Sequence, residues 1–185
     1  MPLFNPYDKF DFSNGFLVVP PPTDPYLPES APLLLQFVPN FNISGTDVNG
    51  PHGPNTKEFG YSADFAGGDR GTTGCFDFNF YGAALGCDSR GPDCEFTFTG
   101  FHKDSATGKD VPFTTQDIAV PACTPLVDCV LTPVTLDDTF SDLTKIRMNV
   151  TVASQPKIWW MDDVRLGWFD NSCDKGKCRQ ETRVR

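Results

Sequence analysis

The chain has 185 residues, with 24 acidic against 15 basic side chains and a formal net charge of −9 at pH 7; its pI is near 4.5. Lys and Arg never gather into a stripe that could neutralise successive phosphates, which argues against nucleic acid as a partner. No apolar run reaches the ~18 residues of a membrane-spanning helix, and the length suits one domain able to bury a core of its own.

The 17 Phe and 17 Pro, with few Ala-Glu-Lys clusters, point to an all-β protein of short strands broken by Gly, Pro, Asn and Asp. Residues 1–13 carry Phe4, Tyr7, Phe10 and Phe12 and meet the turn Ser13-Asn14-Gly15 before a strand at Phe16–Val19. The prolines of residues 20–32 forbid ladder pairing, so this is a surface loop with Tyr26 at its centre. A buried strand is expected over Leu33–Val38, a long polar loop over 39–56 and a strand over Lys57–Phe65. The glycines of FAGGDRGTTG read as an ordinary loop, because no strand–GxxxxGK[ST]–helix context makes them a phosphate cradle.

From Cys75 the alternation is clean: Phe76, Phe78 and Phe80 face one way and Asp77, Asn79 and Tyr81 the other, in a strand ending at Gly82. Glu95–Phe101 repeats the pattern with Phe96 and Phe98. The hairpin turn DSATGK (104–109) leads into a strand at Val111–Val120, and another follows at Val130–Leu136. Ile146, Met148, Val150 and Val152 form the inward face of the next strand, with Arg147, Asn149 and Thr151 outward. About ten strands without an amphipathic helix give a two-sheet antiparallel β-sandwich or jelly roll. Residues 1–170 form the single domain and 171–185 a solvated, basic, cysteine-containing tail.

The seven cysteines fall into close pairs, Cys87 with Cys94, Cys123 with Cys129 and Cys173 with Cys178, leaving Cys75 over. None has metal-ligand spacing, and His52 and His102 are too scattered for a zinc site, so disulfides in an oxidising compartment are expected. The sequons at Asn42 and Asn149 suit the secretory route as glycosylation sites. The opening MPLFNPYDKF is not a secretory leader, so a leader or a first strand is expected to precede it.

The stretch KIWWMDDVRLGW (157–168) holds the strongest chemical clue. Period-two reading puts Ile158, Trp160, Asp162, Val164, Leu166 and Trp168 on the core face and Trp159, Met161, Asp163 and Arg165 on the other. Asp162 is then a carboxylate among apolar neighbours, and it must be hydrogen-bonded, paired or metal-bound. Two readings stay open for it, a structural calcium ligand and a buried hydrogen-bonded carboxylate.

Pro6-Tyr7, Phe12-Ser13-Asn14, Phe76–Gly82, Cys94–Phe101, Trp160–Asp163 and Asn171–Cys173 together resemble a family of small secreted fungal proteins of unknown function. The closing Trp-Met-Asp-Asp strand is also similar to the last strand of galactose-binding-like jelly rolls, the fold of many carbohydrate-binding modules and lectins. That resemblance implies a calcium ligand at Asp162, with Asp8 or Asp11 as N-terminal partners. It also implies a secreted, non-catalytic carbohydrate-binding protein for a glycan or cell-wall polysaccharide. Aromatic faces for stacking on sugar rings are available at Tyr26, Tyr61, Tyr81, Trp159 and Phe169. Each has a structural alternative: Tyr26 would clamp its own loop, and Trp159 would be covered. A secreted effector or cell-wall interaction protein with a host or cell-wall protein partner is the alternative reading. A polysaccharide lyase or glycoside hydrolase is a lesser one, with His102, Lys103 and Tyr81 as available groups but no catalytic motif.

Overall fold

A computed structural model describes residues 10–14, 16–19, 25–30, 34–39, 62–69 and 71–182, the side chains of 11–14 and 16–19 excepted. Among these described residues, eleven strands and one helix follow in chain order: β1 (Phe10–Asn14), β2 (Phe16–Val19), β3 (Leu34–Phe37), β4 (Ser62–Gly67), β5 (Phe78–Cys87), β6 (Cys94–Lys103), β7 (Asp110–Val120), β8 (Thr132–Thr135), β9 (Lys145–Val152), β10 (Gln155–Pro156), β11 (Trp159–Trp168) and α1 (Cys173–Glu181). All strand pairs are antiparallel. One sheet runs β1-β4-β9-β6-β7, with β10 on β9, and the other β2-β3-β11-β5-β8. Eight of these strands, β4-β9-β6-β7 facing β3-β11-β5-β8, have the double Greek-key order of a jelly roll.

The alternation read from the sequence builds the interior. Phe78 and Phe80 of β5, Phe96 and Phe98 of β6, and Ile146, Met148 and Val150 of β9 are buried in one cluster between the sheets. Phe65 packs on Phe78 and Phe80 at ring distances of 5.6 and 5.4 Å, so the aromatic stack crosses from one sheet to the other. Each fully buried phenylalanine contributes ~1.5–3 kcal/mol, which makes this stack the main stabilising element. β5 does not stop at Gly82 but runs on to Cys87, because Gly82 adopts φ 141° and lets the strand continue where a Cβ would collide with the Val134 carbonyl.

In β11 the register differs from the reading of a single period. Trp159 and Met161 lie in the central core, Trp160 and Ile158 lie outside the sheet, and Val164, Leu166 and Trp168 return to the core side. The change of phase comes from an irregularity between Asp162 and Arg165, opposite Gly82, with Asp163 at φ 47°. One extra residue in a strand turns every later side chain to the other face. Trp159 is therefore fully buried between Phe37 and Phe96, at 5.6 and 5.7 Å, and has no face for a ligand.

The outer face of this sheet carries a second apolar cluster of Tyr26, Leu34, Ala84, Cys129, Leu131 and Trp160. Tyr26 is 1% exposed. Its hydroxyl donates to the Cys87 carbonyl at 3.2 Å and accepts from the Cys87 N–H at 3.1 Å, so it clamps the proline loop to β5. Gly86 leaves room for its ring, which a Cβ would strike.

Cys87–Cys94 and Cys123–Cys129 are bridged as expected, the first joining the end of β5 in one sheet to the start of β6 in the other. The third pair is a correction: Cys178 bonds Cys75, and Cys173 is a free, exposed thiol. Residues 173–181 are helical, and in a helix residues five apart have Cα atoms ~8.7 Å from one another, beyond disulfide reach.

The expected solvated tail is likewise corrected, since α1 is docked. Ser172 caps it, accepting from the Lys175 N–H at 3.4 Å. Arg179, 5% exposed, donates to the carbonyls of Cys75 and Asp170 at 2.6 and 3.0 Å and lies 4.7 Å above the Trp168 ring. No helix among the described residues is long and apolar enough to cross a membrane.

A polar cleft at the open end of the sandwich

The connections β5–β6, β7–β8 and β9–β11 meet at one end, which two disulfides close. The connections β4–β5, β6–β7 and β8–β9 meet at the other. There Gly71–Gly74, Asp77, His102–Ser105, Gly108, Asp142 and Thr144 line a cleft of about 730 Å³. A smaller cavity of about 180 Å³ adjoins it, sharing Gly74, Asp77 and Asp142 and adding Phe169, Asp170 and Lys175.

Each wall is fixed by its own local chemistry. In the β4–β5 loop, Asp69 accepts from the N–H groups of Gly71 and Thr73 at 2.9 and 2.6 Å, forming an Asx-type turn. In the β6–β7 hairpin, Asp104 plays the same part: its Oδ1 accepts from the N–H and hydroxyl of Thr107 at 2.6 and 2.7 Å, and these bonds hold its carboxyl below the ordinary value. In the β8–β9 turn, Asn79 of β5 accepts from the Ser141 hydroxyl at 2.6 Å and from the Asp142 N–H at 3.2 Å. Asp142 takes φ 58°, a conformation that Asp and Asn tolerate better than most residues.

Asp77 behaves differently from the turn-forming carboxylates. Its Oδ1 is buried without a hydrogen-bond partner. Burial first, then the charges of Asp142 and Asp69, hold its carboxyl above the ordinary value, against the opposing pull of Lys175 and His102. Lys175 itself donates to the Gly74 carbonyl at 2.9 Å. Across the cleft His102 lies 3.4 Å from the Ser141 carbonyl through Nε2 and stacks on Phe113, with ring centres 4.0 Å apart. Phe113 and Phe169 are exposed aromatics, at 57% and 50%. The site thus joins carboxylate, hydroxyl and cationic groups with two aromatic faces at its borders.

Of the residues singled out from the sequence, His102, Lys103 and Phe169 line these cavities. Tyr26 and Trp159 are buried elsewhere. Tyr81 is half exposed on the far face of β5, its hydroxyl accepting from Asn79 Nδ2 at 3.3 Å, and it does not line the cleft. Tyr61, Asn42 and Asp8 lie outside the described residues, as do residues 40–56 of the expected polar loop and the Asp11 side chain. Asn149 is on β9 between Ser62 and Thr97, with its Oδ1 buried and unpartnered. Asp77 and Asp142 were not singled out, although the period-two reading had placed Asp77 on the outward face of its strand.

Asp162 receives the Ser30 N–H at 2.8 Å and the Ser30 hydroxyl at 2.7 Å, one on each carboxylate oxygen. It therefore anchors the proline loop on the outer face of β11, close to the point where Tyr26 clamps it. Glu29 is beside it: burial, then the charge and hydrogen bond of Asp163 and the charge of Asp162, raise the Glu29 carboxyl above its ordinary value. Among the described residues no three His, Cys, Asp or Glu side chains converge as a metal site.

The fold resembles, at 12% identity and a TM-score of 0.42, a crystal structure of a DUF4465 family protein from Bacteroides caccae. That match covers 76% of this chain and 64% of the other, so the chain spans just under two thirds of that protein's length. No curated protein matches the sequence. The DUF7371 pattern, a domain of unknown function, matches residues 1–179, and the chain belongs to that family.

Proposed function

We propose that the protein is a secreted, non-catalytic carbohydrate-binding jelly roll whose ligand seat is the cleft between the β4–β5, β6–β7 and β8–β9 loops. The observation that carries this reading is the cleft itself. A volume of about 730 Å³ holds one or two sugar rings, and its lining offers Thr72, Thr73, Ser105 and Asp142 to hydroxyls, with the His102–Phe113 stack beside them. Loops carried on a rigid sandwich and tied down by Cys75–Cys178 give a preorganised site, which lowers the ordering cost of binding. Three disulfides suit an oxidising, extracellular setting.

The test is a glycan array followed by calorimetry on the best hit, with Asp142→Ala and Phe113→Ala as variants. Binding weakened at least tenfold by each, with the fold intact by circular dichroism, supports the reading. Retention of no glycan overturns it, and release of reducing or unsaturated ends replaces it with an enzyme. One observation favours a second reading, a secreted interaction protein with a protein partner. Leu27, Val127 and Val130 are exposed at 52%, 48% and 81% around the Tyr26–Cys129 bridge, an apolar surface on the face opposite the core.

A further inference from the structure

The two exposed aromatics at the open end are held by different sheets. Phe113 is the extra residue of a bulge in β7: Gly100 of β6 pairs with Thr114 and Phe101 with Pro112, which leaves Phe113 without a partner across the ladder. A bulge re-aims the side chain it carries. Here the ring lies nearly parallel to His102, with 18° between the planes, so the imidazole supports one face while the residue stays 57% exposed. Phe169 follows directly on β11, and its N–H donates to the Asp77 carbonyl at 3.0 Å, which fixes the backbone beneath a second exposed ring. His102 lines the larger cavity and Phe169 the smaller, and the two cavities share Gly74, Asp77 and Asp142. The hollow therefore runs across the end of the sandwich, from the edge strand of one sheet to a central strand of the other, with an aromatic ring at each end.

Resting on the carbohydrate reading, we infer that the cleft is a groove for the interior of a neutral, linear chain of pyranoses with equatorial hydroxyls, which enters over Phe113 and leaves over Phe169. Such rings carry axial C–H groups on both faces, the surface that packs on a phenyl ring, while their hydroxyls point outward to a polar lining. The lining between the two rings is rich in acceptors. The Thr72 and Thr73 hydroxyls already donate to Asp69, the first to its carbonyl at 2.7 Å and the second to its carboxylate, so both have lone pairs left to offer. Asp77, Asp104 and Asp142 add carboxylates, and His102 and Lys103 are the cationic side of the same lining. A chain of hydroxyls donates to such a surface. A uronate or sulfated chain brings more acceptors and a charge of the same sign as the protein's −9, and is disfavoured on both counts. A pocket for a chain end needs one aromatic platform, whereas this hollow has one at each end.

The experiment is calorimetry on the intact protein with three series of β-linked probes: 1,4-linked glucose, 1,3-linked glucose and 1,4-linked N-acetylglucosamine. Each series includes the monomer, the trimer, the hexamer and the hexamer reduced with borohydride at its end. An oligogalacturonate is the charged probe. In at least one neutral series, binding is expected to tighten by about tenfold or more from monomer to hexamer, with the reduced hexamer bound as well as the intact one. Phe113→Ala and Phe169→Ala are each expected to weaken the hexamer by about tenfold. Both rings are at the surface, so neither change empties the core, and the exposed Val130→Ser on the outer face of the other sheet is the unaffected control. Equal affinity for monomer and hexamer, loss of binding on end reduction, or a Phe169→Ala variant that binds like the parent overturns the groove and leaves carbohydrate recognition standing. Preference for the galacturonate, or an array that retains only branched glycans, does the same. A blank array with none of the probes bound removes both readings.

Discussion

Replacing Asp162 by alanine isolates the attachment of the proline loop to β11. The carboxylate accepts two hydrogen bonds from Ser30, at 2.8 and 2.7 Å, and is 9% exposed. Hydrogen bonds to an ionised group are worth about 1.5–3 kcal/mol each, and Ser30 sits at the surface, so the lower end applies and the pair contributes about 3 kcal/mol. Alanine also removes the cost of keeping a carboxylate out of water, which returns about 1 kcal/mol. The net loss is about 2 kcal/mol, a fall in melting temperature of about 4–8 °C for a domain of this size. Ser30→Ala removes the hydroxyl bond alone and is expected to cost about 1 kcal/mol. In the double variant most of that cost should disappear, a coupling of about 1 kcal/mol measured by urea unfolding. Additive effects, or an Asp162→Ala variant as stable as the parent, would refute the assignment. The same melts in calcium and in EDTA separate the two ways of satisfying this carboxylate. With Ser30 as the partner, the chelator should leave the melting temperature unchanged. A calcium-dependent rise would add an ion beside Glu29, Asp162 and Asp163.

Three further outcomes follow from other parts of the fold. The raised Asp77 carboxyl means that the folded state binds its proton more tightly than the unfolded chain, so its contribution is fully present below the unfolded value and is lost as pH rises through the folded one. Asp77→Asn should therefore raise the melting temperature at neutral pH and flatten its dependence on pH between these limits; an unchanged profile would show that Asp77 is not strained. Cys178→Ser opens the bridge that spans 103 residues, and the chain-entropy argument gives a loss of at most ~4.7 kcal/mol, measurable as a lower urea midpoint. If Cys75→Ser does not match it, the pairing is wrong. Gly86→Ala drives a methyl into the Tyr26 ring, an overpacking of ~1–3 kcal/mol. Combination with Tyr26→Phe, which keeps the ring, should leave that cost in place, whereas Tyr26→Ala should relieve it.

Much of the fold was legible because β9, the first part of β5 up to Tyr81 and β6 up to Thr99 keep a period of two, and their aromatic and aliphatic faces are the faces found in the core. β5 changes phase at Gly82, after which Ala83, Leu85 and Cys87 face inward. The misreading of β11 has a definite cause. A bulge depends on the backbone angles of one residue, Asp163, and on a glycine in the neighbouring strand, and neither leaves a mark on hydropathy. The helix α1 was missed for a similar reason: Arg179 is its sole buried residue, so it has no apolar stripe, and only Ser172 as a cap hints at its start. The cleft was illegible in principle. Its carboxylates sit in different loops, and what brings Asp77 to Asp142 is the order of strands across two sheets. The cysteines show the same limit, since nearness in sequence favours Cys173 for Cys178 while the helix puts it out of reach and docking supplies Cys75.

The bulge in β11 also bears on which alterations the protein can absorb. Adjacent tryptophans point in opposite directions, Trp159 into the interior and Trp160 under the proline loop, so a single strand serves as wall to both. Deleting Asp163 would give a strand of perfect alternation, the very pattern a designer would choose. Yet that tidier strand must either expel Trp159 and Met161 from the interior or turn Val164, Leu166 and Trp168 out of it. Length at this position is thus more strictly bounded than side-chain identity, and a one-residue deletion should be more damaging there than any substitution.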